Sequence, residues 1–285
     1  MHDEHNQRLG AGAVSLTLLT ALLWGGTAVG NRFAVDTVPP IAVGGIRFAL
    51  AAVFMLAWCR FERAPLWPAH GQWRPSLIAG VLLFLQITTF NIGIERSTAS
   101  HGTLFINTFV FWVAAIEHFV TRDHRLSLRQ LAGLIVAATG VVLLVLDESA
   151  AHRVSATDLT PDRATLAGDL LLLTSACLLG VKITYTRRVV RLVPPGTLTL
   201  WHDVFGVVLF AAASLMFEQF RPEAAAPQAI LSLLYLGVVI SGFCFAAQAW
   251  LLKRHSASLI AVFSFATPVS GVVLAVLLRG DALSP

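Results

Sequence analysis

The chain is poor in charged residues, and this scarcity excludes most soluble folds. Asp, Glu, Lys and Arg make up 13% of its 285 residues, against roughly 25% in a typical soluble domain. Hydrophobic residues make up 56%, and the mean hydropathy is +0.74. This composition is typical of a membrane protein, in which each spanning helix needs about 20 apolar residues.

Cysteine is also scarce, and motifs for catalysis are lacking. Cys59, Cys177 and Cys244 are far apart and odd in number, so they predict neither a disulfide framework nor a metal site. The sequence contains no HExxH, no GxSxG and no pair of intramembrane aspartates, which a membrane-embedded enzyme would use. We therefore expect no enzymatic activity and no cofactor. The net charge of +4 resides in short loops, so we expect no nucleic-acid partner.

Apolar runs long enough to cross a bilayer occur nine times along the chain, which predicts an all-α polytopic membrane protein. They lie at about 13–31, 41–59, 75–94, 99–120, 128–146, 165–186, 196–217, 228–252 and 256–278. The longest polar connector, 147–164, separates the fifth run from the sixth and is the predicted linker. The two predicted domains are therefore residues 1–146, with spans one to five, and residues 165–285, with spans six to nine.

The first span of each half repeats the same sequence pattern. Residues 18–40 match residues 173–195 at an offset of 155 without a gap, with nine identities in 23 positions. Both copies end in Val-Pro-Pro, where proline suits the first turn of the next helix. A second match at an offset of 158 aligns residues 98–100 with 256–258, the triplets that open the fourth span of each half. The chain therefore consists of a duplicated helical bundle.

The two copies are expected to cross the membrane in opposite directions, because five spans, an odd number, separate their starting points. Inverted repeats of this kind are a recurrent plan of secondary transporters, with the substrate site near the midplane between the halves. Twelve Lys and Arg residues lie in loops on the side of the N-terminus and six on the other side. Since positive loops stay cytoplasmic, we expect the N-terminus in the cytoplasm.

An ordered set of short motifs, present in both halves, resembles the EamA-type members of the drug/metabolite transporter superfamily. The first half shows Trp24-Gly25, Pro39-Pro40, Thr98-Ala99-Ser100, Leu126-Ser127 with Gln130, and Gly133 and Gly140. The second half shows Gly180, Pro194-Pro195, Ser256-Ala257-Ser258, Thr267-Pro268 and Leu283-Ser284. Val110 departs from the pattern, because family members often have proline there, so the sequence itself does not predict a kink.

The resemblance implies a ten-helix transporter made of two inverted five-helix repeats. Among family branches, the chain is most similar to bacterial exporters of amino acids and related metabolites, which implies a location in the bacterial inner membrane. The turn after span four leads into span five, whereas the similar turn after span nine is followed only by Pro285. We therefore expect a tenth helix of about 20 residues in the native protein, absent from this sequence.

Polar side chains inside the spans are the candidate site, because such groups usually face the bundle interior or a cavity. We predict that one central cavity is lined by aromatic, amide and cationic side chains from both halves: Trp24, Gln86, His101, Asn107, Lys182, Tyr185 and Gln248. Lys182 and Tyr185, one turn apart, are candidates for contact with a carboxylate or carbonyl of the solute. Each has an alternative role, as interhelical hydrogen-bonding group, interfacial group or core residue.

Four further ionisable residues are candidates for a gate or for coupling to protons: Arg47, Glu117, His202 and Asp203. Arg47 could pair with an acid when one side is closed. Asp203 and Glu117 are the best-placed carboxylates for proton transfer. The sequence does not choose between proton-coupled antiport and facilitated efflux, nor between monomer and homodimer.

The predicted function is export of small metabolites by alternating access, with aromatic or other neutral amino acids as the expected substrates. The expected partners are a small-molecule substrate and the lipid bilayer. The alternatives are transport of another solute class, such as a drug, a nucleotide-linked metabolite or a sugar-like metabolite, and, with less support, a membrane-embedded enzyme or a scaffold.

Overall fold

The structure is a computed structural model that describes residues 10–122, 139, 165–219, 226–263 and 266–279. All regular secondary structure in these ranges is helical. Eight helices in them are long and apolar enough to cross a membrane. They are α1 (Ala11–Val35), α2 (Pro40–Glu62), α3 (Trp73–Glu95), α4 (His101–Thr121), α5 (Leu166–Val189), α6 (Pro195–Phe217), α7 (Pro227–Leu252) and α8 (Leu259–Leu278).

These bounds confirm the predicted all-α polytopic class and match eight of the predicted spans within a few residues at each end. The predicted fifth span (128–146, apart from residue 139), the linker (147–164) and the turn before the expected tenth helix (280–285) lie outside the described residues. The tenth helix itself stays a prediction.

The Pro-Pro pairs start α2 and α6 in the same way. Pro39 and Pro194 adopt extended backbone angles, with φ/ψ of −54°/140° and −55°/137°. Pro40 and Pro195 then occupy the first helical position, where a missing N–H costs no hydrogen bond. The repeated breaker in the sequence therefore becomes a repeated chain reversal before each second helix.

Three of the eight helices are interrupted within the described residues. The segments are Ala11–Gly25 and Thr27–Val35 in α1; Ala99–Ile106, Phe109–Ala115 and the π-helical Ile116–Thr121 in α4; and Pro227–Leu234, the π-helical Tyr235–Cys244 and Phe245–Leu252 in α7. All three contribute residues next to a break to the cavity described below. Helix breaks and π-turns often mark functional sites in membrane helices.

Helices α2 and α6 form the most extensive pair in the bundle, and α3 packs against both α5 and α6. On the other side of the pair, α7 packs against α2 and α1, while α4 contacts α5 and α8 contacts α1. The pattern is nearly unchanged when each helix is exchanged for its counterpart in the other half. Such a contact pattern is what two equivalent bundles packed face to face would produce.

The contacts at the two ends of the bundle show which helix ends lie together. At one end, here called the Glu95 end, Arg32 donates to the carbonyl oxygens of Ile94 and Glu95 at 3.2 and 2.7 Å. Thr165, just before α5, donates to the carbonyl of Arg96 at 2.8 Å. Helix α1 therefore ends where α5 begins, and the two run in opposite directions.

The opposite end, here called the Trp73 end, is marked by an aromatic cluster. Trp73 lies 4.5 Å from Trp201 between ring centroids, and Trp67 lies 5.1 Å from Trp201. Trp67 is 67% exposed, which suits an indole at a lipid headgroup boundary.

Candidate functional site

A central cavity lies between the halves and is lined by seven of the eight helices, all except α6. The centre of a water molecule can occupy about 80 Å³ of it, enough for a small solute rather than a single water. Its wall has one cation, five amide or hydroxyl side chains, four aromatic rings and four aliphatic side chains. These are Arg47; Thr27, Gln86, Asn107, Gln248 and Thr267; Trp24, Phe90, Phe109 and Phe245; and Ile87, Ile106, Leu179 and Ile183.

Trp24 stands beside the interruption of α1. Its ring meets Phe245 edge-on, with centroids 6.2 Å apart, the geometry that aromatic quadrupoles favour. The helix is interrupted after Gly25, and the hydroxyl of Tyr235 donates to the carbonyl of Leu23, which also accepts the backbone N–H of Gly26 at 3.2 Å. A Cβ on Gly26 would lie 2.7 Å from that hydroxyl, so glycine lets the Tyr235 ring approach without a shift. The Trp-Gly-Gly sequence therefore places the indole at the cavity wall.

Gln86 is buried on α3, and its amide orientation follows from the hydrogen bonds of Ser175. The Ser175 hydroxyl donates to the backbone carbonyl of Gln86 at 2.8 Å. Its oxygen can then only accept from the Gln86 side chain, so the group 3.0 Å away is the amide nitrogen. The amide oxygen of Gln86 has no hydrogen-bonding partner among the described residues. The amide nitrogen thus joins α3 to α5, while the buried amide oxygen is left without a donor in the described part of the protein.

Asn107 lies at the break in α4, next to a threonine that also bonds the backbone. Its side-chain nitrogen donates to the carbonyl of Thr103 at 2.7 Å, and the Thr108 hydroxyl donates to that of Phe105 at 2.7 Å. Such side-chain bonds compete with helical hydrogen bonds and disrupt the helix. The interruption therefore occurs without the proline that the family pattern has nearby, at Val110.

Gln248, predicted as a wall residue, and Arg47, predicted as a gate or coupling residue, both line the cavity. Arg47 is 1% exposed and donates through Nε to the hydroxyl of Ser241 on α7. Gln248 is half-buried on the same helix. Four predicted wall residues therefore share the cavity, Trp24, Gln86, Asn107 and Gln248, and the candidate gate residue Arg47 lies there with them.

A sequence model of the EamA-like transporter family matches residues 11–146 and 166–285, which is most of the chain. The chain belongs to the EamA-like transporter family. It is therefore a multi-pass membrane transporter, not an enzyme, and it moves a small solute across a lipid bilayer.

Relatives of this transporter support the same assignment. A protein of Bacillus subtilis named "Uncharacterized transporter YoaV" is 23% identical over 261 residues, covering 90% of this chain and 84% of its own. Proteins named "Probable amino-acid metabolite efflux pump" are 25% identical in Salmonella typhimurium and 24% identical in Escherichia coli, each covering 94% of this chain and 87% of their own. A crystal structure aligns with a TM-score of 0.71 and 19% identity over 96% of this chain and 91% of its own.

Lys182 and Tyr185 of the transporter point to different places, although both lie on α5. The Lys182 ammonium lies 4.2 Å from the ring centroid of Phe245, which lines the cavity. The Tyr185 hydroxyl donates to the carbonyl of Pro75 at 3.2 Å, close to the Trp73 end. Lys182 is thus behind the cavity wall, and Tyr185 lies outside the cavity.

His101 lies at the Glu95 end rather than in the cavity. Its Nδ1 is 3.3 Å from both carboxylate oxygens of Asp169, and the Ser97 hydroxyl donates to the same carboxylate at 2.7 Å. The contact joins the start of α4 to the start of α5.

Glu117 and Arg187 form a buried ion pair near the Trp73 end, with 2.6 Å between Oε1 and Nη1. The pair joins the same two helices as His101 and Asp169, at their opposite ends. Helices α4 and α5 are therefore held together by ionisable groups at both ends.

His202 and Asp203 are buried on α6, behind the cavity wall. Nδ1 of His202 bonds the carbonyl of Thr199 at 2.7 Å and lies 3.1 Å from Oδ1 of Asp203. In the described part of the transporter, neither oxygen of Asp203 accepts a well-aligned hydrogen bond. Asp203 is close enough to Arg47 and Lys182 for its charge to attract both.

The sequence interpretation missed two hydroxyl groups and most of the apolar wall of the cavity. Thr27 follows the Gly25-Gly26 break, and Thr267 donates to the carbonyl of Ala21 at 3.0 Å. The Thr267-Pro268 motif was visible in the sequence and could have indicated a wall position. Asp169, which contacts His101, was also missed, although a carboxylate four residues into an apolar helix was a detectable signal.

Proposed function

We propose that this transporter exports small metabolites, most specifically aromatic and other neutral amino acids, from the bacterial cytoplasm across the inner membrane. Two relatives named as amino-acid metabolite efflux pumps support this substrate class. Transport proceeds by alternating access to the central cavity, with the N-terminus in the cytoplasm.

The observation that carries the proposal is the chemistry of the cavity wall. Aromatic rings such as Trp24 and Phe245 suit an apolar side chain, while Gln86, Asn107 and Gln248 offer amide hydrogen bonds. A mostly apolar wall with a few polar groups is typical of a small-molecule site. The cavity has room for a small solute.

The two-repeat architecture is part of the proposal and is supported by one close approach that occurs twice. Gly25 on α1 faces Ser270 and Gly271 on α8, and its counterpart Gly180 on α5 faces Trp112 and Val113 on α4. The offsets, 155 for the glycines and 158 for their partners, are those of the sequence repeat. Two similar bundles could rock about the cavity and expose it to each side in turn.

The test is a flux screen in proteoliposomes that contain only this protein. Radiolabelled amino acids, a sugar phosphate and a cationic dye are compared, with and without a pH gradient. We expect neutral amino acids to move faster than in protein-free vesicles. Movement of the dye or the sugar phosphate alone would overturn the substrate assignment and favour another solute class.

A further inference from the structure

Arg47 brings an unsatisfied positive charge to the cavity. It lies seven residues after Pro40 on α2, about 10 Å into the helix at 1.5 Å per residue, and is 1% exposed. A guanidinium has five N–H donors. Nε bonds Ser241, but Nη1 has no hydrogen-bonding partner among the described residues. An unpaired buried donor is costly, above all on a charged group, so this group is suited to an anionic oxygen.

The charged neighbours of Arg47 in the described part of the chain do not satisfy its free guanidinium nitrogen. Lys182 lies over the Phe245 ring and makes no hydrogen bond or ion pair within the described ranges. Asp203 is near both cations but forms no well-aligned hydrogen bond with either. A solute carboxylate bound to Arg47 would supply the acceptor that its Nη1 lacks among the described residues, and the attraction between the two charges is strong in a low-dielectric site.

Two unsatisfied oxygens of the same cavity are suited to a positive group. The amide nitrogen of Gln86 is committed to Ser175, which leaves its amide oxygen without a donor. The hydroxyl of Thr27 likewise has no partner within the described part of the chain. Both residues line the cavity. Carbonyl and hydroxyl oxygens are the groups that accept hydrogen bonds from an ammonium.

We infer that the cavity recognises a zwitterion: Arg47 binds the carboxylate, and Gln86 with Thr27 binds the ammonium of an α-amino acid. Trp24, Phe90 and Phe245 then contact the apolar side chain. This inference rests on the proposed export function and deepens it, because it assigns each charged group of the solute to a named side chain. Arg47 thereby becomes a solute-binding residue, rather than half of a gate.

A ligand series on the purified wild-type protein tests the inference without any mutation. Calorimetry compares L-phenylalanine with L-phenylalaninamide, which lacks the carboxylate, and with 3-phenylpropionate, which lacks the ammonium. We expect each analogue to bind about 10- to 100-fold more weakly, the range for loss of a hydrogen bond to a charged group. Equal affinity for L-phenylalanine and L-phenylalaninamide would overturn the inference. Binding of none of the three ligands would overturn it as well.

Two variants then test which side chain binds each charged group of the solute. Arg47→Gln should weaken L-phenylalanine binding about 10- to 100-fold and leave binding of L-phenylalaninamide unchanged, with exposed Arg188→Gln as the matched control.

Gln86→Met should weaken binding of L-phenylalanine and leave binding of 3-phenylpropionate unchanged, with Gln72→Met as its control. Equal losses for all ligands in both variants would indicate a structural role and contradict the assignment. Flux of other solutes in the vesicle screen would still support export, so the two failures are distinguishable.

Discussion

Glu62 and Glu218 cap each other's helices at opposite ends of the α2–α6 pair. The carboxylate of Glu62, at the end of α2, accepts the backbone N–H of Gly196 in the first turn of α6 at 2.9 Å. The carboxylate of Glu218, just after α6, accepts the N–H groups of Ile41 and Ala42 in the first turn of α2 at 2.6 and 2.9 Å. A carboxylate at a helix N-terminus satisfies unpaired N–H donors and interacts favourably with the helix dipole. Each contact therefore closes one end of the central pair.

Removal of either cap should make the corresponding end of the transporter easier to open. Each cap contributes about 1 kcal/mol, so Glu62→Ala should favour opening at the Trp73 end and Glu218→Ala at the Glu95 end. The measurement is labelling of Gln248→Cys, in a cysteine-free background, by a membrane-impermeant thiol reagent added from one side at a time. Each variant is the control for the other, because each should increase labelling from one side only. An equal increase in labelling from both sides in both variants would contradict the prediction.

The opposite orientation of α1 and α5 predicts labelling from opposite sides of the membrane. Arg32 and Arg187 are each only 8% exposed, so reporters belong at their exposed neighbours Thr37 and Leu192, which occupy equivalent positions in the repeat. With Cys59, Cys177 and Cys244 replaced, Leu192→Cys should react from the cytoplasm and Thr37→Cys from the periplasm. Reaction of both from one side would exclude the inverted topology.

The paired glycines predict a matched loss of stability. A Cβ on Gly25 would lie 2.9 Å from the backbone nitrogen of Gly271, and one on Gly180 would lie 2.6 Å from the Cβ of Trp112. Gly25→Ala and Gly180→Ala should therefore each cost about 1–3 kcal/mol through overpacking, measured as a lower thermal unfolding midpoint in detergent.

Gly12→Ala is the control for this pair, since a Cβ there meets nothing within 4 Å. Because alanine favours the helix over glycine, this variant should unfold at the wild-type temperature or above. Wild-type stability of both Gly25→Ala and Gly180→Ala would show that these close approaches are absent in the membrane.

The sequence was sufficient to predict where the helices lie along the chain. It was not sufficient to predict which face of each helix is turned toward the cavity. Apolar runs and Pro-Pro breakers predict the spans well, because a membrane helix needs little more than length and hydropathy. Which face of such a helix is buried depends on its neighbours, since nearly every face is apolar. Lys182 and Tyr185 illustrate the difficulty: they are three residues apart, yet one contacts Phe245 and the other contacts Pro75.

Contacts between distant parts of the chain were equally hidden. Glu62 and Glu218 resemble ordinary loop charges in the sequence, and only the pairing of α2 with α6 places them at helix starts. By contrast, Trp24, Gln86 and Asn107 could be predicted as wall residues, because polar and aromatic groups near the midplane rarely face lipid. The hydrogen-bond partners of Gln86 and Asn107 could not be predicted.

Asp203 is expected to couple transport to protons. It is fully buried on α6, next to His202 and within the electrostatic reach of Arg47 and Lys182. In proteoliposomes, Asp203→Asn should reduce pH-gradient-driven flux to the rate without a gradient, while solute exchange at equal pH continues. An undiminished response of Asp203→Asn to the gradient, or no response of the wild type, would exclude this role.

The central claim is that the cavity between the halves is the path of the solute, and Trp24 tests it most directly. The measurement is counterflow, in proteoliposomes, of the amino acid that the wild type transports fastest, with equal amounts of folded protein for each variant. Trp24→Ala removes a ring at the cavity wall, so its rate should fall about tenfold. Trp67→Ala removes an exposed ring at the Trp73 end and should keep the wild-type rate. A wild-type rate for Trp24→Ala would contradict the account.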